Sequence, residues 1–373
     1  MDVYDVAVIG AGPAGAAAAL AALRSGASVL LLDRAGFPRD KPCGDGIAAE
    51  ATGVLTDLGV PDPVAGFPQV TRLRLVAPGG GAVTRPLPRP AHTVPRRIFD
   101  ERLVRAAVAA GASLRLHTAR RVREDDLVTI DGKYRARVVI GADGASSVVR
   151  RHLGHGANPP GHLAIAIRGY APTANRGEQV IVTTRQRWPA YAWEFPLGDG
   201  TANVGYGEVL RGGPLSRPYL LGRLAALLPG AEPVSLRGHH LPLSTHRPEP
   251  GRGRLLLAGD ALSLINPLTG EGIFYAVLSG ALAGAEAARG PDDVAGRYRR
   301  ALRARLGRHL RHSGAAARLT GWPAVADAAV AAARQDEETF ARMVDLGLAD
   351  GLLDARTIGR ITWRMVQWRA APA

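Results

Sequence analysis

The chain has 373 residues, 46% of them hydrophobic, and a formal net charge of +14, a length that builds one large core or two modest ones. Its single cysteine, Cys43, excludes an intrachain disulfide framework and a cysteine-cluster metal site, so no metal ligands are assigned and a reducing, intracellular setting is expected. Lys41 and Lys133 are the only lysines, so 45 of 47 basic residues are arginines; they are spread along the chain without an aromatic-interleaved patch, which argues against nucleic acid as a partner.

Residues 4–10 read as a strand, and Gly10-Ala-Gly12-Pro13-Ala14-Gly15 opens an alanine-rich helix reaching about residue 24. The next strand, 28–33, ends in an acid, Asp33, 18 positions after Gly15. This is a dinucleotide fingerprint in its strand–helix–strand context. Gly10 makes the tight turn, Gly12 admits a pyrophosphate and Gly15 lets helix and strand pack. Asp33 would accept from ribose hydroxyls. Residues 6–23 carry no charge, but Pro13 and the glycines serve the phosphate turn, so neither a membrane span nor a signal peptide is expected.

Residues 34–47 are dense in glycine and proline and form a loop holding Lys41-Pro-Cys43-Gly44-Asp45-Gly46. A short helix is expected over 48–58 and a hairpin over 70–76 and 82–87, turned at Gly79-Gly-Gly81. A helix then runs from about Arg96 to residue 110. Strands over 113–117 and 119–123 follow, with a small hairpin, 127–130 and 134–137, turned at Asp131-Gly132. The run 138–141 reads as a further strand ending in Asp143-Gly144.

Residues 163–170, 179–184, 190–195 and 201–207 read as strands of one antiparallel sheet. In the third, the period of two puts Tyr191, Trp193 and Phe195 on one face. They either pack the sheet on a helix or line a pocket. Residues 255–258 form a short buried strand, followed by Gly259-Asp260 and an irregular turn through Pro267, Gly270 and Gly272. A helix starts near Ile273 and reaches about residue 289, with free N–H groups at its start. The rest is helical and arginine-rich over 294–312, 324–346 and 352–369. In the last, Ile358, Ile361, Met365 and Trp368 recur at helical spacing beside Arg356, Arg360 and Arg364, and Trp363 and Trp368 add interfacial character. Packing on the body is favoured, with contact to an anionic membrane surface as the alternative.

The fingerprint, the Asp143-Gly144 turn and the segment 255–280 together resemble flavoproteins of the glutathione-reductase-2 type, which include the aromatic hydroxylases. The resemblance implies FAD, with Asp260 near the ribityl chain and pyrophosphate. Amides of residues 270–273 would face the flavin's pyrimidine edge, and Arg34 and Val122 would join the cofactor contacts. Four further motifs are similar to the geranylgeranyl reductase family: Lys-Pro-Cys-Gly-Asp-Gly at 41–46, the Arg96-x-x-Phe-Asp helix, Tyr-x-Trp-x-Phe-Pro at 191–196, and Asn-Pro-Leu-Thr-Gly-Glu-Gly-Ile-Phe-Tyr at 266–275. In that family Cys43 and Gly44 would lie by the flavin and the isoprenoid double bond, and Arg96 would contact FAD.

The expected architecture is α/β: a Rossmann-type FAD-binding domain (1–68, 92–160, 245–292) interleaved with an antiparallel-sheet substrate domain (69–91, 161–244), plus C-terminal helices (293–373). The expected activity is reduction of C=C bonds in a prenyl or related lipophilic substrate by hydride transfer from reduced flavin. Cys43 is the candidate proton donor or positioner, and Tyr191, Trp193 and Phe195 line the channel. The alternatives are an FAD monooxygenase of an aromatic or terpenoid metabolite and an FAD-scaffolded cyclase without redox turnover. Only one dinucleotide fingerprint is present, so NAD(P)H would bind transiently or a ferredoxin-like protein would supply electrons. A cytoplasmic protein is expected, membrane-peripheral if 352–369 lies on lipid; oligomeric state is left open.

Overall fold

The computed structural model describes residues 2–370, with side chains through residue 367. The strand Val3–Ile9 becomes fully buried from Val6 onward, as a central parallel strand covered on both faces must be. It lies between Val29–Asp33 and Tyr134–Gly141, both parallel to it. Ser113–Leu116 extends one side of this sheet and Leu255–Leu257 the other. The two segments expected at 134–137 and 138–141 are one continuous strand, whose first half pairs with the hairpin strand Val128–Ile130. Asp131 and Gly132 both take positive φ at that turn.

The helix Pro13–Arg24 packs on this sheet and against the helix Ile273–Ala288. Their contact is made by backbone. A Cβ on Gly280 would strike the carbonyl of Ala14, and one on Gly284 the carbonyl of Ala18. The two helices therefore approach more closely than any pair carrying side chains at those positions could.

The second sheet runs in the order Val234–Pro242, Leu163–Pro172, Thr201–Val209, Ala190–Pro196, Glu178–Thr183, Gln69–Val76, Ala82–Thr93, Gly46–Ile47. It is mixed and not wholly antiparallel, because Glu178–Thr183 pairs parallel to Gln69–Val76. Those strands come from separate excursions of the chain, so no hairpin constrains their direction. Ala82–Thr93 continues well past residue 87, through Pro86, Pro88 and Pro90. Its outer side is paired only at His92 and Thr93, so these prolines fall where few ladder donors are needed. Strand 234–242 and the short Gly46–Ile47 were not expected.

The helix Arg217–Leu227 covers one face of this sheet, burying Leu220 and Leu224 against Ile167, Ala190, Ala192 and Tyr206. At the other end, Pro323–Gln335 and Glu337–Leu348 close over Val70, Leu73, Val83 and Leu87 with Val330, Phe340 and Val344. One helix was expected over 324–346. It is broken at Asp336, whose side chain accepts from the Thr339 amide at 2.7 Å and so starts a new helix. Val294–Leu319 is longer than expected. Ala355–Ala370 packs on the two preceding helices, with Arg360 bonded to Asp336 at 2.7 Å. Its Ile358, Trp363 and Val366 remain exposed, and the side chains of Trp368 and Arg369 lie outside the described residues. Among the described residues no helix is long and apolar enough to cross a membrane.

The interhelical contact yields a stability test. Alanine favours a helix interior over glycine by about 1 kcal/mol, whereas forcing extra volume into a packed contact costs about 1–3 kcal/mol or more. A backbone carbonyl cannot swing aside, so the second effect should win at Gly284→Ala. The variant should melt several degrees below wild type by circular dichroism; an unchanged or higher melting temperature would refute the backbone contact.

Candidate functional site

The carboxyl ends of Val3–Ile9, Tyr134–Gly141 and Leu255–Leu257 meet at one edge of the first sheet, where ligands bind in open parallel sheets. Gly10 has φ +97° and its amide donates to the Leu32 carbonyl at 2.7 Å, which makes the tight turn. A Cβ on Gly15 would overlap the Gly10 carbonyl. The helix begins at Pro13 after Gly12, with no side-chain cap, so the Ala14 and Gly15 amides are free to meet an anion, the Ala16 amide being the first taken, by the Gly12 carbonyl. A Cβ on Gly12 would meet only Arg39 Nη2, at 3.7 Å. The same guanidinium lies 3.5 Å from Asp33 and 3.3 Å from Asp100. A cation thus stands beside the open side of the phosphate turn.

Asp33 is buried and accepts from the Ala11 amide at 2.8 Å, while Arg34 beside it is exposed. Asp143 accepts from the Val148 amide at 2.6 Å through Oδ2, and its Oδ1 is buried without a partner. Gly144 follows it with φ +76°. Val122 packs in the main core, paired with Ile130 in the small hairpin. Asp260 forms an ion pair with Lys41 at 3.3 Å. Burial alone would raise its pKa, but Lys41 and His239 hold it below the ordinary carboxylate value. Gly259, just before it, donates its amide to Ser279 Oγ at 2.9 Å.

The turn after Pro267 corrects one expectation. The Gly270 amide is taken by the Asn266 carbonyl at 3.0 Å and the Glu271 amide by Thr269 Oγ1 at 3.3 Å. That leaves Gly272 and Ile273 at the helix start, where Glu271 already accepts from the Phe274 amide at 2.8 Å. Burial pushes the Glu271 carboxyl up to about 7. Glu271 is also lowered by the Ile273 amide, so a cofactor here would meet the Gly272 amide and a titratable acid.

The second sheet turns one face toward these segments. Cross-strand pairing puts Phe195, Asn203 and Tyr170 in one row, and Trp193, Gly205 and Arg168 in the next. The helix Arg217–Leu227 packs on the opposite face, so the aromatic stripe looks toward the Cys43 loop. A Cβ on Gly44 would sit 3.3 Å from Trp193 Nε1 and 3.4 Å from Phe195 Cε2. Tyr191 donates its hydroxyl to the Thr269 carbonyl, touching the Gly270 turn. Trp193 is 5% exposed and its indole crosses Gly205, where any side chain would collide. Tyr191 and Phe195 are half-buried.

Cys43 keeps part of its surface open. Burial pushes its thiol up, partly offset by the Arg96 guanidinium. Arg96 is itself buried and held by Asp100 through bonds of 2.6 and 2.8 Å. Sequence reasoning missed Arg39, Asp45 and Asn203. Arg39 sat in a loop with no periodicity to read. The signal for Asn203 was its isolation between Ala202 and Val204, both buried; a lone amide in an apolar strand needs partners.

The free amides of Ala14 and Gly15, the Arg39 and Lys41 cations, Asp33 and the unpartnered Asp143 Oδ1 fit FAD, a dinucleotide with one pyrophosphate. Gly12→Val would place branched carbons where the pyrophosphate approaches. That variant should purify folded but without the flavin absorbance near 450 nm; full flavin content would refute this placement.

Residues 3–169 match a family described as an FAD binding domain. A menaquinone reductase of Mycobacterium tuberculosis is 34% identical over 311 residues, covering 76% of each chain. A geranylgeranyl diphosphate reductase of Rhodobacter capsulatus is 34% identical over 303 residues, covering 76% of this chain and 75% of its own. A geranylgeranyl bacteriochlorophyll reductase-like protein of Thermoplasma acidophilum superposes over 99% of both chains with a TM-score of 0.82 at 21% identity, a likeness of fold. With its FAD fingerprint, its cysteine-glycine loop and these relatives, the chain belongs to the geranylgeranyl reductase family of FAD-dependent oxidoreductases.

Proposed function

We propose that this oxidoreductase saturates C=C bonds of a prenyl or related lipophilic substrate lying between the aromatic strand and the Cys43 loop. One observation carries the reading: Trp193 and Phe195 face Gly44 while Tyr191 reaches the Gly270 turn, so an apolar wall adjoins both the cysteine loop and the turn at the start of the helix Ile273–Ala288. On this reading residues 1–68, 92–160 and 245–292 hold FAD, and 69–91 and 161–244 hold the substrate. When bound, reduced FAD would supply the hydride.

The chain's own residues do the rest. Cys43 Sγ–H gives its proton to the alkene carbon that does not take the hydride, and water restores it. A thiol pushed up by burial stays protonated at neutral pH, as a proton donor must. Arg96 steadies the thiolate left behind. Tyr191 and Phe195 present ring faces that tolerate the positive charge building on an unactivated alkene. Electrons come from NAD(P)H bound transiently or from a ferredoxin-like protein. The exposed Ile358, Trp363 and Val366, with Arg356 beside them, lie on a peripheral membrane surface where such substrates reside.

The chemistry is tested by single turnover of reduced holoenzyme with an isoprenoid alkene. Saturated product without oxygen is expected. Cys43→Ser should slow saturation by at least ~10²-fold, the low end of general-acid assistance, while binding FAD normally. A hydroxylated product that requires oxygen, or an isomer of the substrate, would overturn the reductase reading. An unchanged saturation rate would overturn the role of Cys43. The membrane reading predicts that wild type sediments with vesicles containing anionic lipid and that Trp363→Ser does so less; equal sedimentation would refute it.

A further inference from the structure

Asn203 ties three functional segments together through one carboxamide. Its Oδ1 accepts from Trp193 Nε1 at 2.9 Å. Its Nδ2 donates to the Cys43 carbonyl at 2.8 Å and to Asp45 Oδ2 at 2.8 Å. Asp45 is 0% exposed and holds φ +62°, a left-handed backbone that costs a non-glycine residue of order 1–3 kcal/mol and persists only where the surroundings over-determine it. They do so here. Asp45 also accepts from Tyr170 Oη at 2.6 Å and from the Arg96 amide at 3.3 Å. Three separate elements, Thr201–Val209, Leu163–Pro172 and Arg96–Ala109, thus converge on one carboxylate two residues from the sole cysteine. A buried carboxylate is an expensive way to anchor an ordinary loop, since apolar packing commonly holds one as well.

We propose that Asn203 and Asp45 are a positioning pair that holds the Cys43 thiol in register with the Trp193 face of the substrate strand. The role rests on the reading of Cys43 as proton donor. Because Asn203 bonds both Trp193 and the Cys43 carbonyl, the loop carrying the thiol cannot shift along the substrate strand without breaking one of these bonds. The thiol's protonation is set first by burial, then by Arg96 from its helix and Asp45 from the same loop; Tyr191 from the aromatic strand faces the same thiol. Tyr170, Arg168 and Arg96 in turn surround Asp45. Burial pushes the Asp45 carboxyl up to about 6, so it is mostly ionised at pH 7 and its charge opposes thiolate formation.

The single cysteine makes the test direct, since any alkylation reports Cys43 alone. Iodoacetamide rates would be followed from pH 6 to 10 on FAD-replete wild type, Asp45→Asn, Asn203→Leu and Tyr170→Phe. Asp45→Asn removes the opposing charge and should speed alkylation at pH 7 about three- to tenfold, with the midpoint moved down by up to about one pH unit. Asn203→Leu frees the loop and should also speed it. Tyr170→Phe removes one hydroxyl from a site that should otherwise still fold, and should move the profile the same way by less. Wild-type profiles in Tyr170→Phe and in whichever of the other two retain FAD would overturn the pairing. The outcome is separable from the proposed chemistry. Shifted profiles with wild-type saturation rates would retain the pair and remove the proton-donor role. Unshifted profiles beside a slow Cys43→Ser enzyme would do the reverse.

Discussion

The close contact between the helices Pro13–Arg24 and Ile273–Ala288 is the constraint on which the cofactor site depends. Gly280 and Gly284 let one helix rest on the carbonyls of Ala14 and Ala18 in the other. Each helix starts without a side-chain cap at its first residue, at Gly12 and Gly272 respectively. Bringing the two helices together therefore joins two helix N-termini, at Ala14 and Gly272, that lie far apart in sequence. Dispersion and burial supply the attraction, but the glycines decide the separation. Much of the remaining FAD-side structure, including the long helix Val294–Leu319 that donates Tyr298 Oη to the Leu257 carbonyl at 2.9 Å, braces this arrangement.

Polar groups then bridge the two sheets. Asp40 pairs with Arg168, Asp45 with Tyr170 and Asn203, and Lys41 with Asp260. All three links run through the loop 40–45. Were that loop only connecting chain, solvated side chains would serve. Instead its backbone and side chains are pinned on one side to the second sheet, and Lys41 Nζ pins it on the other to Asp260. The balance of burial against pairing differs from group to group. Lys41 and His239 win over desolvation at Asp260, whereas desolvation wins at Asp45 and Glu271. The result is one carboxylate held below the ordinary range, Asp260, and two pushed above it, Asp45 and Glu271.

The C-terminal helices complete the core and also carry an unusual surface. Val330, Phe340 and Val344 close the first strands of the second sheet, so this region is not an appendage. Yet Leu319, Trp322, Ile358, Trp363 and Val366 are exposed there, amid arginines. One set of helices thus presents apolar side chains both inward and outward.

The sequence by itself determined the FAD half of the molecule. The fingerprint from Gly10 to Asp33, the Asp143-Gly144 turn and the segment around Asp260 are local patterns, each set by a backbone approach that only glycine permits or by an acid at a strand end. The Tyr191, Trp193 and Phe195 stripe was legible for the same reason, since a period of two follows from the pleat. Tertiary structure decided which way that stripe faces, because the pleat fixes which residues share a face but not which neighbour covers it; here Arg217–Leu227 took the other face. It also decided the parallel pairing of Glu178–Thr183 with Gln69–Val76, a non-local choice between strands more than a hundred residues apart in sequence. Asp45 and Asn203 belong to the same class. Asn203 lies 10 positions from the indole of Trp193 but 158–160 from the cysteine loop, and Asp45 lies 125 from Tyr170, so only the folded chain brings one carboxamide between that loop and the indole.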